Sequence, residues 1–155
     1  MKIWKHPFSA GSVRGAISLL TAIMFLGLLS PLTATAALVH LAADIDGAQV
    51  GTGSPATGSA VMTFDDATNI FDWNISYAVN DLEGDVTVAH FHGPAPMGQN
   101  AGVQVPLDNP AVVPVIGSAT IADVQRDQLL AGLWYINIHT TGSPGGEIRG
   151  QLTIV

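Results

Sequence analysis

The chain has no cysteine. No disulfide can therefore staple the fold, and thiol nucleophiles and thiolate metal sites are excluded. Basic residues are almost as scarce: no lysine follows Lys5, and beyond Arg14 only Arg126 and Arg149 remain. All 12 acidic residues lie in that same later part, which gives residues 37–155 a formal charge of −10. Such a surface repels phosphate backbones and anionic lipids, so nucleic acid is excluded as a partner and divalent cations or basic surfaces are attracted. Long apolar runs are missing too, apart from one near the start. What remains is an acidic chain, short of cations, that must hold together by packing and backbone hydrogen bonds.

The one apolar run, Gly15 to Ser30, follows Lys2, Lys5 and Arg14 and is broken by Pro31. Ala34-Thr35-Ala36 then supplies small residues at −3 and −1, so residues 1–36 read as a Sec-type signal peptide and residues 37–155 as one domain. A retained anchor is the alternative, but the run falls short of the ~20 residues that span a bilayer. The expectation is an exported protein, periplasmic or extracellular, without a retained membrane span. A solitary arginine and the lack of cysteine argue against twin-arginine export and lipoprotein attachment.

From about Leu38 the hydrophobic period is two. Phe71, Trp73, Ile75, Tyr77 and Val79 alternate with Asp72, Asn74, Ser76 and Asn80; Ala60, Met62 and Phe64 alternate with Val61, Thr63 and Asp65. Asp65 to Asn69 supplies the reversal between these two strands. Further strands are expected over Val39–Val50, Asp85–His92, Val103–Leu107 and Val112–Ile116. A closing hairpin turns at Gly142–Gly146, with Trp134, Ile136, Ile138, Ile148 and Leu152 inward and Glu147, Arg149 and Gln151 outward. One helix is expected over Thr120–Ala131, capped by Thr120 and ended by Gly132. Seven or eight short antiparallel strands with one helix predict an all-β, two-sheet sandwich, immunoglobulin-like or superoxide-dismutase-like.

Four blocks carry a family resemblance: Asp46-Gly47-Ala48-Gln49, His90-Phe91-His92-Gly93-Pro94-Ala95, Asp123 to Gly132, and Tyr135-Ile136-Asn137-Ile138-His139-Thr140 running into Pro144-Gly145-Gly146-Glu147-Ile148-Arg149-Gly150-Gln151-Leu152. In these the chain resembles a chordin-type (CHRD) domain from about Leu41 to Leu152. It departs from the family pattern after Gln49, where Val50-Gly51-Thr52-Gly53 replaces the common Glu-Val-Pro-Pro. The resemblance implies an exported β module with no settled enzymatic activity.

His90 and His92, two apart on a strand, project to one face, and His139 ends another strand. If those strands are neighbours, three imidazoles with an open position suit zinc or copper. A histidine at the end of an apolar face is more often a structural group bonded to turn carbonyls or nearby carboxylates, so the structural reading leads and the metal reading stands as the alternative. Glu147 and Arg149 share one face of the last strand and are expected each to pair across the sheet, Arg149 reaching a turn carbonyl or an acidic residue, with a bound anion as the lesser alternative. Asn137, Gly93 and Pro94 complete the motif residues. No catalytic residue is assigned: serines lie in no nucleophile-elbow context, and the glycines around Pro144 join strands rather than opening a helix. Two functions follow: a non-enzymatic module binding a protein or cell-surface polymer, or a metal-binding protein using His90, His92 and His139.

Overall fold

In the computed structural model, residue 2 and residues 37–155 are described. The expected signal peptide and its alternative, a retained anchor, lie outside the described residues. Among the described residues no helix is long and apolar enough to cross a membrane.

The chain forms β1 (Leu38–Asp46), β2 (Thr57–Asp65), β3 (Ile70–Tyr77), β4 (Val86–His92), β5 (Val103–Pro106), β6 (Val115–Thr120), α1 (Asp123–Leu130), β7 (Tyr135–Thr140), β8 (Ile148–Gln151) and β9 (Thr153–Ile154). All pairings are antiparallel. The all-β expectation with one short helix is met. The strands, however, follow one hydrogen-bonded path, β5-β4-β7-β8-β1-β2-β3-β6, instead of dividing into two sheets, and β9 pairs with β1. The joint is β1, which pairs along its length with β2 and meets β8 where Asp46 opposes Arg149. The result is a nearly closed, barrel-like sheet whose end strands, β5 and β6, share no backbone hydrogen bond.

Alternation explains the core. In β3, Phe71, Trp73, Ile75 and Tyr77 are buried while Ile70, Asp72, Asn74 and Ser76 are exposed. Phe71 and Trp73 on one limb meet Phe91 on the other at ring-centroid separations of 5.0 and 5.4 Å, and Trp134 stands edge-on to Phe71 at 5.9 Å. Side chains, not backbone bonds, thus hold the two limbs together across the interior.

Some boundaries differ from those expected. The first strand stops at Asp46, because Gly47 to Thr52 form a turn closed by the Gly47 carbonyl. The last expected central strand runs later, Val115–Thr120, with the residues from Pro110 to Pro114 in turns. Thr120 belongs to that strand and does not cap the helix. Instead Gln125 Oε1 accepts the Ala122 N–H at 2.9 Å, and Gly132, at φ +70°, ends α1 as expected. Arg126 on α1 lies within ion-pair distance of Asp66, Asp123 and Asp127 (3.8, 3.6 and 3.1 Å).

Candidate functional site

The outer face of the β4–β7–β8 limb carries the sequence motifs. Its inner face is apolar, with Ala89, Phe91, Ile136, Ile138 and Ile148 in the core. By the pleat, the alternate residues point outward. Register then sets the array: Val88 opposes His139, His90 opposes Asn137, and His92 opposes Tyr135 between β4 and β7, while Tyr135 opposes Gln151 and Asn137 opposes Arg149 between β7 and β8. His139 is therefore the diagonal neighbour of His90.

All three expected imidazoles converge. Ring centroids are 5.3 Å apart for His90–His139, 5.4 Å for His90–His92 and 5.8 Å for His92–His139. One ligand nitrogen from each ring lies within 4.8 Å of the others. Imidazoles sharing one ion at about 2.1 Å place their nitrogens about 3.4 Å apart, so small ring rotations suffice. His92 Nδ1 stands 3.0 Å from the Ala101 carbonyl and His139 Nδ1 2.9 Å from the Pro144 carbonyl. A carbonyl only accepts, so each Nδ1 carries the proton and each Nε2 keeps its lone pair. These are the backbone partners that orient ligand imidazoles in metal sites. Burial pushes the His90 pKa below 6.5, helped by the neighbouring His139 and His92. Burial likewise depresses His92, against the Ala101 hydrogen bond and with added repulsion from His139 and Arg149. Both rings are therefore uncharged at neutral pH, the form a metal ion requires.

Seven buried side-chain polar atoms among the described residues lack a hydrogen-bond partner. Five belong to this face: His90 Nδ1, His92 Nε2, His139 Nε2, Asn137 Oδ1 and Arg149 Nε. Native folds leave few such atoms, and their concentration singles out this face as the candidate site.

The expected charge pairing of Glu147 and Arg149 across the sheet is not found among the described residues, and neither side chain is wet. Glu147 is fully buried: Oε1 accepts from Ser54 Oγ (2.7 Å) and the Glu83 N–H (2.8 Å), and Oε2 from Thr140 Oγ1 (2.6 Å). Burial alone would raise its pKa, but the bonds from Thr140, Ser54 and Glu83 outweigh that and hold it below 4.5. Arg149 reaches a turn carbonyl, as expected, donating to Gln99 O at 2.8 Å. Its other acceptors are Asn100 Oδ1 (3.4 Å) and Gln151 Oε1 (3.0 Å), and its Cζ lies 3.4 Å from the Tyr135 ring centroid. For Arg149 the reason is the loop from Gly93 to Gly102, and for Glu147 the segments carrying Ser54 and Glu83, which fold over side chains that alternation alone would leave in water. Gly93 and Pro94 start this loop and touch no ligand nitrogen through side chains.

Tyr135 and Gln151 join the site beyond the residues the sequence motifs point to. Tyr135 stacks on His92, centroids 5.1 Å apart and planes 9° apart, and its hydroxyl accepts the Ala101 N–H at 3.0 Å. Its place in the Tyr135, Asn137, His139 alternation was the available signal. Asn137 donates to Gly145 O at 3.4 Å. Gly146, at φ +115°, lies so close that a Cβ there would run into the Asn137 amide. Gly146→Ala is expected to cost about 2–4 kcal/mol through backbone strain and this clash, read as a lower chemical-denaturation midpoint.

Against known proteins, no curated protein and no solved structure matches the chain. A family model described as the CHRD domain matches residues 41–152.

Proposed function

The chain belongs to the CHRD domain family, and from that premise we propose that it is an exported, non-catalytic β module that binds a copper or zinc ion through His90, His92 and His139. One observation carries the reading: three ring nitrogens lie within 4.8 Å of one another, on rings whose unpaired nitrogens are buried. Three neutral nitrogen donors suit a borderline ion such as Zn²⁺ or Cu²⁺ and leave a fourth position for a small ligand. His92 and His139 are already aimed by backbone carbonyls, so little side-chain order remains to be gained on binding. No second cluster of three such ligands is found among the described residues, which favours a single ion held by the module over a paired catalytic centre.

Residues 37–155, purified free of metal, are expected to take up one equivalent of copper or zinc by calorimetric titration. Melting should rise by several degrees at saturating ion, since an ion at about a hundredfold its Kd contributes about 2.7 kcal/mol. The variant carrying His90→Gln and His92→Gln should fold and lose both responses. Equal uptake by that variant, or no uptake by the parent, overturns the reading.

The second reading, docking of a protein or cell-surface polymer, is favoured by a concavity of about 620 Å³ on the outer face of the other limb, where Val61, Ile116 and Val155 line an apolar floor beside Asp72. Exposed apolar surface of this kind marks interaction sites more often than chance.

A further inference from the structure

Arg149 is only 2 % exposed, yet it has no carboxylate partner among the described residues. Its acceptors are two amide side chains and one backbone carbonyl, with an aromatic ring against its guanidinium. Its cross-strand neighbour Asp46 could have served, but that carboxylate is turned to Gln49, accepting its N–H at 2.9 Å and its Nε2 at 3.2 Å. A buried cation met only by dipoles is costly, and burial indeed lowers its pKa. Its Nε–H is buried and unpaired. The ligand cluster beside it contains imidazoles alone, so a divalent ion bound there keeps both its charges. Loaded, the face would hold three positive charges, while its two carboxylates, Asp46 and Glu147, are each engaged by other donors.

Register brings these charges together. His90, Asn137 and Arg149 oppose one another directly across β4, β7 and β8, so the Arg149 backbone is two strand spacings, about 10 Å, from that of His90. The guanidinium lies against the Tyr135 ring, which in turn stacks on His92, so Arg149 adjoins the imidazole cluster through that ring. Between Arg149 and His90 stands Asn137, whose Oδ1 is an unpaired acceptor.

We propose that this face holds an anion position beside the metal site, in which Arg149 secures a small monoanion that fills the ion's fourth coordination position. The best-matched class is a protic oxyanion such as hydroxide or hydrogencarbonate: its oxygen accepts from Arg149 Nε–H and its O–H donates to Asn137 Oδ1. This rests on the metal reading above and specifies what the site takes in addition to the ion.

The test uses residues 37–155 loaded with Cu²⁺ and titrated with azide, a monoanion whose binding to Cu²⁺ gives a charge-transfer band. Hydrogencarbonate is then added to compete. The parent should bind azide and lose the band to hydrogencarbonate. In Arg149→Gln the azide affinity should fall about tenfold or more while copper uptake is unchanged, as expected for loss of a close, partly desolvated charge. Arg149→Lys, which keeps the charge but moves it off the Nε position, should show a smaller loss and serves if the glutamine variant does not fold. Unchanged azide affinity in both variants, or no azide band in the copper-loaded parent, overturns the anion position and leaves the metal site standing. Failure of the parent to bind copper overturns both.

Discussion

Glu147→Ala is expected to destabilise the folded domain by about 3–5 kcal/mol, since three donors that now point at one buried carboxylate would be left without an acceptor. The donors come from three separate places: Ser54 in the loop after β1, the Glu83 N–H before β4, and Thr140 at the end of β7. Thr140 also accepts the Ser143 N–H at 3.0 Å, so the closing turn loosens with it. For a domain of this size the melting temperature should drop by roughly 10–20 °C. Glu147→Gln keeps the shape and one acceptor oxygen, and the Thr140 hydroxyl can rotate to receive the new N–H, so it should cost about half as much. The acid limb of the stability profile gives an independent check. Because the carboxyl sits below 4.5 in the fold, its contribution is complete above pH 4.5 and is lost as the pH falls through the lower folded value. Melting curves taken between neutral pH and pH 3 should therefore steepen on the acid side for the parent more than for the alanine variant. Parallel profiles would show that Glu147 does not stabilise in its charged form.

The second large effect lies in the interior. Phe71→Ala is expected to cost about 3–5 kcal/mol, within the range for truncating a fully buried phenylalanine. Phe71 has no exposed surface and touches Trp73, Phe91 and Trp134. It thereby joins the β3 limb to the β4–β7 limb where no backbone hydrogen bond does. Near-ultraviolet circular dichroism should lose much of its tryptophan signal while the far-ultraviolet β signal stays, because the strands keep their partners within each limb. A variant with parent-like stability would mean that the limbs are held together elsewhere.

The strands could be read from the sequence wherever one face is buried and the other wet, as in β3, because alternation is then a direct record of environment. The convergence of His90, His92 and His139 was conditional on β4 and β7 being neighbours, and their register meets the condition. Other features left no local trace. Glu147, Arg149 and Gln151 alternate with Ile148, Gly150 and Leu152 and so look solvent-facing, yet the Gly93–Gly102 and Gly47–Ser54 segments return over them from 40 to 100 residues away. Burial imposed by a distant loop changes no period. That neither Glu147 nor Arg149 forms an ion pair across the sheet follows the same logic, since each side chain finds its acceptors or donors on a different overlying segment. The single hydrogen-bonded path, in place of two sheets, depends on β1 serving both β2 and β8, which alternation within β1 does not encode.

The histidines and the hydrophobic interior occupy opposite surfaces of the same two strands, β4 and β7. Exchanging His90, His92 or His139 for other polar residues leaves Ala89, Phe91, Ile136 and Ile138 untouched, so chemistry and foldability are inherited on separate alternate positions. If the proposed ion site holds, its preference could be lost or retuned by single substitutions that spare the core on the inner side of these strands.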